Sequence, residues 1–116
     1  MTDLGIGIVG GGYMGKAHAV AMSAVGAVFN TKLRPKLRAV AANSIENATR
    51  YQMAYGFETA CENWEHLVND PRVEAVVIAS PQSTHRLIAE AAFALGKPVL
   101  CEKPLSTNLD DARAMV

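Results

Sequence analysis

The 116-residue chain predicts an α/β fold, a doubly wound parallel sheet with strand order 3-2-1-4-5 and helices on both faces. Three observations carry this. Short apolar runs alternate with stretches of helical periodicity along the whole length, the pattern of βαβ units and a parallel sheet. The run VEAVVIA, Val73–Ala79, is nearly continuous hydrophobe, as expected of a strand covered on both faces. A glycine cluster, GIVGGGYMG at residues 7–15, stands directly behind the first apolar run. Right-handed crossovers then leave few topologies.

The elements follow in order. Leu4–Val9 is the first strand, and the small and apolar residues from Tyr13 to Val25 suit a helix. GAVFNTKLRPK, broken by Pro35, is expected to be a loop. Leu37–Ala42 forms the second strand. Asn43 or Ser44 caps a helix running to Tyr55, where Gly56 takes the C′ position. FETAC is a short third strand, Asn63 caps a helix over WEHLVND, and Pro71 stops it. Val73–Ala79 is the fourth strand. Leu87, Ile88, Ala91 and Leu95 recur at helical spacing, so a helix covers Thr84–Leu95. Gly96 and Pro98 end it before the fifth strand, PVLC. A last helix opens in STNLDDARAMV, where Thr107 and Asp110 have capping-box spacing and two aspartates fall in the first turn.

Composition sets outer bounds. Half of the residues are hydrophobic, enough for one globular domain over residues 1–116. Eleven basic residues balance eleven acidic ones, which gives no electrostatic footprint for nucleic acid or an anionic membrane. No apolar run reaches the length of a membrane span, and MTDLGIGIVG lacks the basic start of a signal peptide. Cys61 and Cys101 lack metal-type spacing, so no metal site is expected. Reduced thiols and a cytoplasmic location are expected.

Gly10, Gly12 and Gly15 make Gly-x-Gly-x-x-Gly between the first strand and the first helix. In this setting the first glycine allows a tight turn. The second lets a pyrophosphate approach the backbone, and the third lets helix and strand pack closely. The helix N-terminus offers free N–H groups and a positive dipole end to the phosphates. Asn43 and Ser44 stand where the adenosine ribose is expected, at the end of the second strand. An amide does not repel a 2′-phosphate as a carboxylate would, so NADP is permitted beside NAD. No arginine follows directly to grip it. Lys32, Arg34 and Lys36 precede the second strand and Arg38 stands at its start, so all four belong near its opposite end, with a solvated loop. His18 and His66 are read as structural or exposed, and Trp64 as core.

Two further turns fall at the carboxyl edge of the sheet: VVIASPQSTH after the fourth strand and VLCEKPL after the fifth. With the glycine loop, the EKP turn and the SPxxxH turn, the chain resembles the N-terminal Rossmann domain of the Gfo/Idh/MocA oxidoreductases, from Gly7 through DDARAMV. The resemblance implies NAD or NADP as cofactor. It places Gly10, Gly12, Tyr13, Met14 and Gly15 at the pyrophosphate, and Asn43 and Ser44 at the ribose. Ser80, Pro81 and His85 would line the cofactor cleft, with Glu102 and Lys103 near the nicotinamide. Lys103 would be the catalytic residue, moving a hydroxyl proton while hydride passes between nicotinamide and a sugar, cyclitol or related polyol. The turn at Lys103–Pro104 is a place for a cis peptide bond.

Members of the family are about three times longer. Their C-terminal substrate domain lies outside these 116 residues, so the chain alone is expected to bind a dinucleotide without turnover. An open edge on the fifth strand invites association, and a homo-oligomer is a possible assembly. A stand-alone nucleotide-binding or interaction module without chemistry shares the glycine loop. The EKP lysine favours the enzyme.

Overall fold

The computed structural model describes residues 2–116. Its elements are β1 (Thr2–Val9), α1 (Tyr13–Val28), β2 (Leu33–Ala41), α2 (Ile45–Tyr55), β3 (Thr59–Cys61), α3 (Trp64–Asn69), β4 (Ala75–Ile78), a 3₁₀ turn (Gln82–Thr84), α4 (His85–Ala94), β5 (Val99–Cys101) and α5 (Leu109–Met115). All strand pairs are parallel and the order is β3-β2-β1-β4-β5, as the sequence predicts.

The period-2 geometry of the strands divides the core into two layers. Ile6 and Ile8 of β1, Leu37 and Val40 of β2 and Val77 of β4 face one side, and pack with Ala19 of α1 and Tyr51 and Tyr55 of α2. Val9, Ala39, Ala41, Val76 and Ile78 face the other side, against Leu67 and Val68 of α3, Ile88, Ala89 and Ala92 of α4 and Met115 of α5. Gly7 belongs to this second face. A Cβ there would stand 2.7 Å from Leu67 and 2.8 Å from Val73, so its absence lets α3 sit directly on β1.

Several expected boundaries move. The expected loop before the second strand is largely strand. β2 starts at Leu33 and contains Pro35, which stands opposite Leu4. The reason lies in its neighbours. β3 pairs only with Ala39–Ala41, so the first half of β2 has β1 on one flank and no strand on the other. Proline is tolerated on such a flank because a missing donor costs no ladder bond there. Arg34, Lys36 and Arg38 thus lie on the strand, still at the end away from Asn43. The register between β1 and β2 slips by one residue at Ile6/Gly7.

Helix caps follow local chemistry. Ser44 Oγ accepts from Asn47 N at 3.1 Å, and Asn63 Oδ1 accepts from His66 N at 2.9 Å. Gly56 ends α2 in the left-handed region at φ 79°. The expected Thr107–Asp110 box does not form. α5 starts at Leu109, which puts Asn108 at the cap, and its Oδ1 accepts from Asp111 N at 2.8 Å.

Gly7→Val should overpack the β1–α3 contact, since Leu67 and Val73 are both fully buried. A loss of about 1–3 kcal/mol is expected, read as a lower urea midpoint at unchanged m-value.

Candidate functional site

The carboxyl ends of β1, β2, β3 and β4 open onto one cleft of about 830 Å³. Gly10, Gly11 and Gly12 form its floor. Ala42, Asn43, Asn47 and Tyr51 form one wall, Glu62, Asn63 and Trp64 another, and Ala79, Ser80, Pro81, Thr84 and Ile88 the third. Such a crevice beyond the strand ends is where open α/β sheets bind ligands.

The four glycines have separate tasks. Gly10 turns the chain at φ 109°, and a Cβ there would lie 2.6 Å from the Ala79 carbonyl. Gly11 packs beneath the Tyr51 ring, where a Cβ would fall 1.7 Å from Cε2. Gly15 lets α1 approach the loop, since its Cβ would stand 2.1 Å from the Gly10 carbonyl oxygen. Gly12 differs from all three: nothing lies within 4 Å of its Cβ position. It lines the cleft, so its missing side chain leaves room for a ligand and serves no packing contact. Directly after it, the first-turn N–H groups of α1 at Tyr13, Met14 and Gly15 have no acceptor within the helix. The Tyr13 side chain is exposed. A cradle that a Cβ would fill, followed by free amides at a helix N-terminus, fits a pyrophosphate.

Of the other expected site residues, Asn43, Ser80 and Pro81 stand on the cleft walls. Ser80 Oγ lies 2.7 Å from Thr84 Oγ1, which itself donates to the Pro81 carbonyl. Ser44 caps α2 and is outside the cleft lining. His85 is outside it too. It was expected to line the cleft, yet it is fully buried at the start of α4. Its Nε2 lies 2.9 Å from the Ser80 carbonyl oxygen and its Nδ1 3.0 Å from that of Leu105. The ring spans the two turns that follow β4 and β5, and its two carbonyl partners account for both ring nitrogens.

Glu102 and Lys103 follow β5, beyond the cleft wall that Ser80 and Pro81 make. Glu102 N donates to Ile78 O at 2.9 Å, which extends the β4–β5 ladder by one residue. Lys103 is exposed, and the Lys103–Pro104 bond is cis, as expected from the sequence. Sequence reasoning missed the partner of this turn. His18, on α1, donates from Nε2 to Glu102 Oε1 at 3.0 Å, with both side chains about one-fifth exposed. The spacing of 84 residues hides the pair from any local pattern. Glu62, Asn47 and Tyr51 were also missed. Glu62 follows β3, so its position at the carboxyl edge was the available signal. Trp64, read as core, packs against the core and lines the cleft as well.

Both cysteines are free, Cys61 buried and Cys101 half-buried. Burial pushes both thiols up from their ordinary range, reinforced at Cys61 by Asp70 and at Cys101 by Glu102. Among the described residues no cluster of His, Cys, Asp and Glu could hold a metal, and no helix is long and apolar enough to cross a membrane.

The fold and the glycine cradle define a dinucleotide-binding α/β domain. Comparison with known proteins gives its family. Residues 4–116 match the oxidoreductase family Gfo/Idh/MocA, NAD-binding Rossmann fold. Levoglucosan dehydrogenase of Pseudarthrobacter phenanthrenivorans is 36% identical over 99% of this chain and 30% of its own length. Inositol 2-dehydrogenase of Rubrobacter xylanophilus is 38% identical over 97% of this chain and 30% of its own. Levoglucosan dehydrogenase in complex with NADH and levoglucosan superposes at a TM-score of 0.94, with 36% identity over 97% of this chain and 31% of that one. An NAD-binding oxidoreductase from Klebsiella pneumoniae does so at 0.92, with 43% identity over 97% and 30%. The chain belongs to the Gfo/Idh/MocA oxidoreductase family and carries its NAD-binding Rossmann domain. It spans about 30% of the length of these relatives.

Gly12→Val should leave the circular dichroism spectrum and melting temperature near wild type while weakening NADH binding at least about tenfold, or roughly 1.4 kcal/mol. Fluorescence titration measures it. The raised thiols should react with iodoacetamide at pH 7.5 more than about tenfold slower in the folded chain than in urea, because the thiolate is the reactive form.

Proposed function

We propose that the chain is the coenzyme-binding domain of an NAD(P)-dependent oxidoreductase acting on a sugar, cyclitol or related polyol. The observation that carries this is the placement of two features on one sheet edge. The pyrophosphate cradle follows β1, and a turn bearing an exposed lysine follows β5, two strands away. A binding module has use for the first only. The relatives' names point to the same substrate class, since levoglucosan and inositol are both polyhydroxylated rings.

The proposed roles divide along the edge. Gly10, Gly12, Tyr13, Met14 and Gly15 take the pyrophosphate, largely through backbone. Asn43 faces the adenosine ribose, and Ser44 holds the helix that follows it. Ser80 and Pro81 line the path toward the nicotinamide, with His85 behind them fixing the Ser80 carbonyl. When bound, the nicotinamide exchanges hydride with a carbon of the substrate. Lys103 Nζ accepts or donates the proton of the hydroxyl on that carbon. Glu102, held by His18, fixes the start of the turn that carries Lys103. The substrate's opposite wall comes from outside the sheet described here. Without that wall nothing aligns the reacting carbon, and alignment supplies several kcal/mol of a barrier of this kind.

The purified chain should therefore bind NADH or NADPH and reduce neither NAD nor NADP with levoglucosan, inositols or sugar acids. In a protein that joins it to a substrate domain of this family, Lys103→Ala should lower kcat at least about 100-fold, within the range for loss of a general acid–base group. Coenzyme Kd should stay within about threefold. Undiminished polyol-dependent NAD(P)H formation at 340 nm in Lys103→Ala would remove Lys103 from the chemistry.

A further inference from the structure

We infer that Arg50 sets the hydrogen-bonding polarity of Asn43 and thereby makes the adenosine end of the cleft a site for the 2′-phosphate of NADP(H). The inference rests on the dinucleotide reading above and adds the coenzyme form. Asn43, just ahead of the Ser44 cap, and Asn47 and Arg50 on the first turns of α2 are linked in a row. Asn47 Nδ2 donates to Asn43 Oδ1 at 2.5 Å. An Arg50 guanidinium nitrogen donates in turn to Asn47 Oδ1.

The direction of this row has one source. A carboxamide has a donor end and an acceptor end, so two asparagines alone could be linked either way. A guanidinium has donors only. Arg50 therefore claims Asn47 Oδ1, which leaves Asn47 Nδ2 to donate, which occupies Asn43 Oδ1. The free end of Asn43 is then its Nδ2, a donor. A carboxylate at this position would present acceptors, the match for ribose hydroxyls. The row presents the reverse, the match for phosphate oxygens. Asn43 and Asn47 both stand on the cleft wall. Ser44 caps the same turn through Asn47 N, which fixes the backbone beneath the row.

The charge around the row agrees. Arg50 takes part in none of the ion pairs among the described residues, which engage Arg38, Arg72, Arg86 and His18. Its positive charge is thus not spent on a carboxylate. The one carboxylate lining the cleft, Glu62, stands on a different wall, at the end of β3. Arg50 is a positioning residue here, acting on the ligand through Asn47 and Asn43. The sequence hid it, because seven positions separate it from Asn43.

The test is a pair of fluorescence titrations, NADPH and NADH, on the chain and three variants, with circular dichroism to show folding. Wild type should bind NADPH at least as tightly as NADH. Arg50→Lys, whose head is also donor-only, should keep that preference within about threefold. Asn47→Ala cuts the row while leaving Arg50 in place, and should lower the NADPH preference at least about threefold. Arg50→Glu brings an acceptor-only head, which reverses the row, and should lower it at least about tenfold. Tighter binding of NADH by wild type, or an unchanged preference in Asn47→Ala, overturns the inference and leaves the dinucleotide reading standing. Binding of neither coenzyme by folded wild type defeats the dinucleotide reading itself.

Discussion

The carboxyl edge of the sheet depends on a backbone approach that excludes side chains. At Gly10 the chain touches the exit of β4, at Gly11 it lies under Tyr51 of α2, and at Gly15 the first turn of α1 rests on the Gly10 carbonyl. Each contact would be closed by one Cβ. Together they fix the loop after β1 against its neighbours on both sides. Two backbone bonds continue the sheet past the strand ends: Gly10 N donates to Ala41 O, and Ala79 N to Val9 O, each at 2.8 Å. Gly12 alone escapes these contacts, which is why the open space of the cleft begins there.

The far half of the edge is held by side chains instead. β5 is three residues long and sits at the margin of the sheet, so its ladder gives little control over the turn that follows. Two histidines supply that control from opposite faces. His18 reaches from α1 to Glu102, and His85 reaches from α4 to the carbonyls of Ser80 and Leu105. Lys103 and Pro104 stand between the two tethers. The β1 glycines and the two histidines therefore reach one end: loops from separate strands keep fixed spacing along a single edge.

The cleft wall after β2, the proposed adenosine end, is built on helix capping. Ser44 satisfies one orphan donor of α2, and the same turn sets Asn47 and Arg50 at helical spacing, with Asn43 joined to them from just ahead of the cap. Pairs three and four residues apart on a helix are neighbours on its surface. Capping and the cleft wall thus draw on the same few residues, with Ser44 committed to the backbone and Asn43 left to the cleft.

The sequence by itself determined the strand order, the two covered faces, the glycine cradle and the EKP turn. All of these rest on short-range signals: period-2 and helical hydrophobic patterns, a strand–glycine–helix junction, and turn residues at strand ends. Where local signals competed, it chose wrongly. Thr107 and Asn108 are both good caps, and only the start of α5 selects Asn108. Pro35 reads as a breaker, and only the shortness of β3 makes it tolerable in β2. Tertiary structure alone decided the pairing of His18 with Glu102, the burial of His85 and the wall supplied by Trp64. These contacts join segments far apart in the chain, and a side chain's partner across 84 residues is set by the packing of helices on the sheet, which no local pattern encodes.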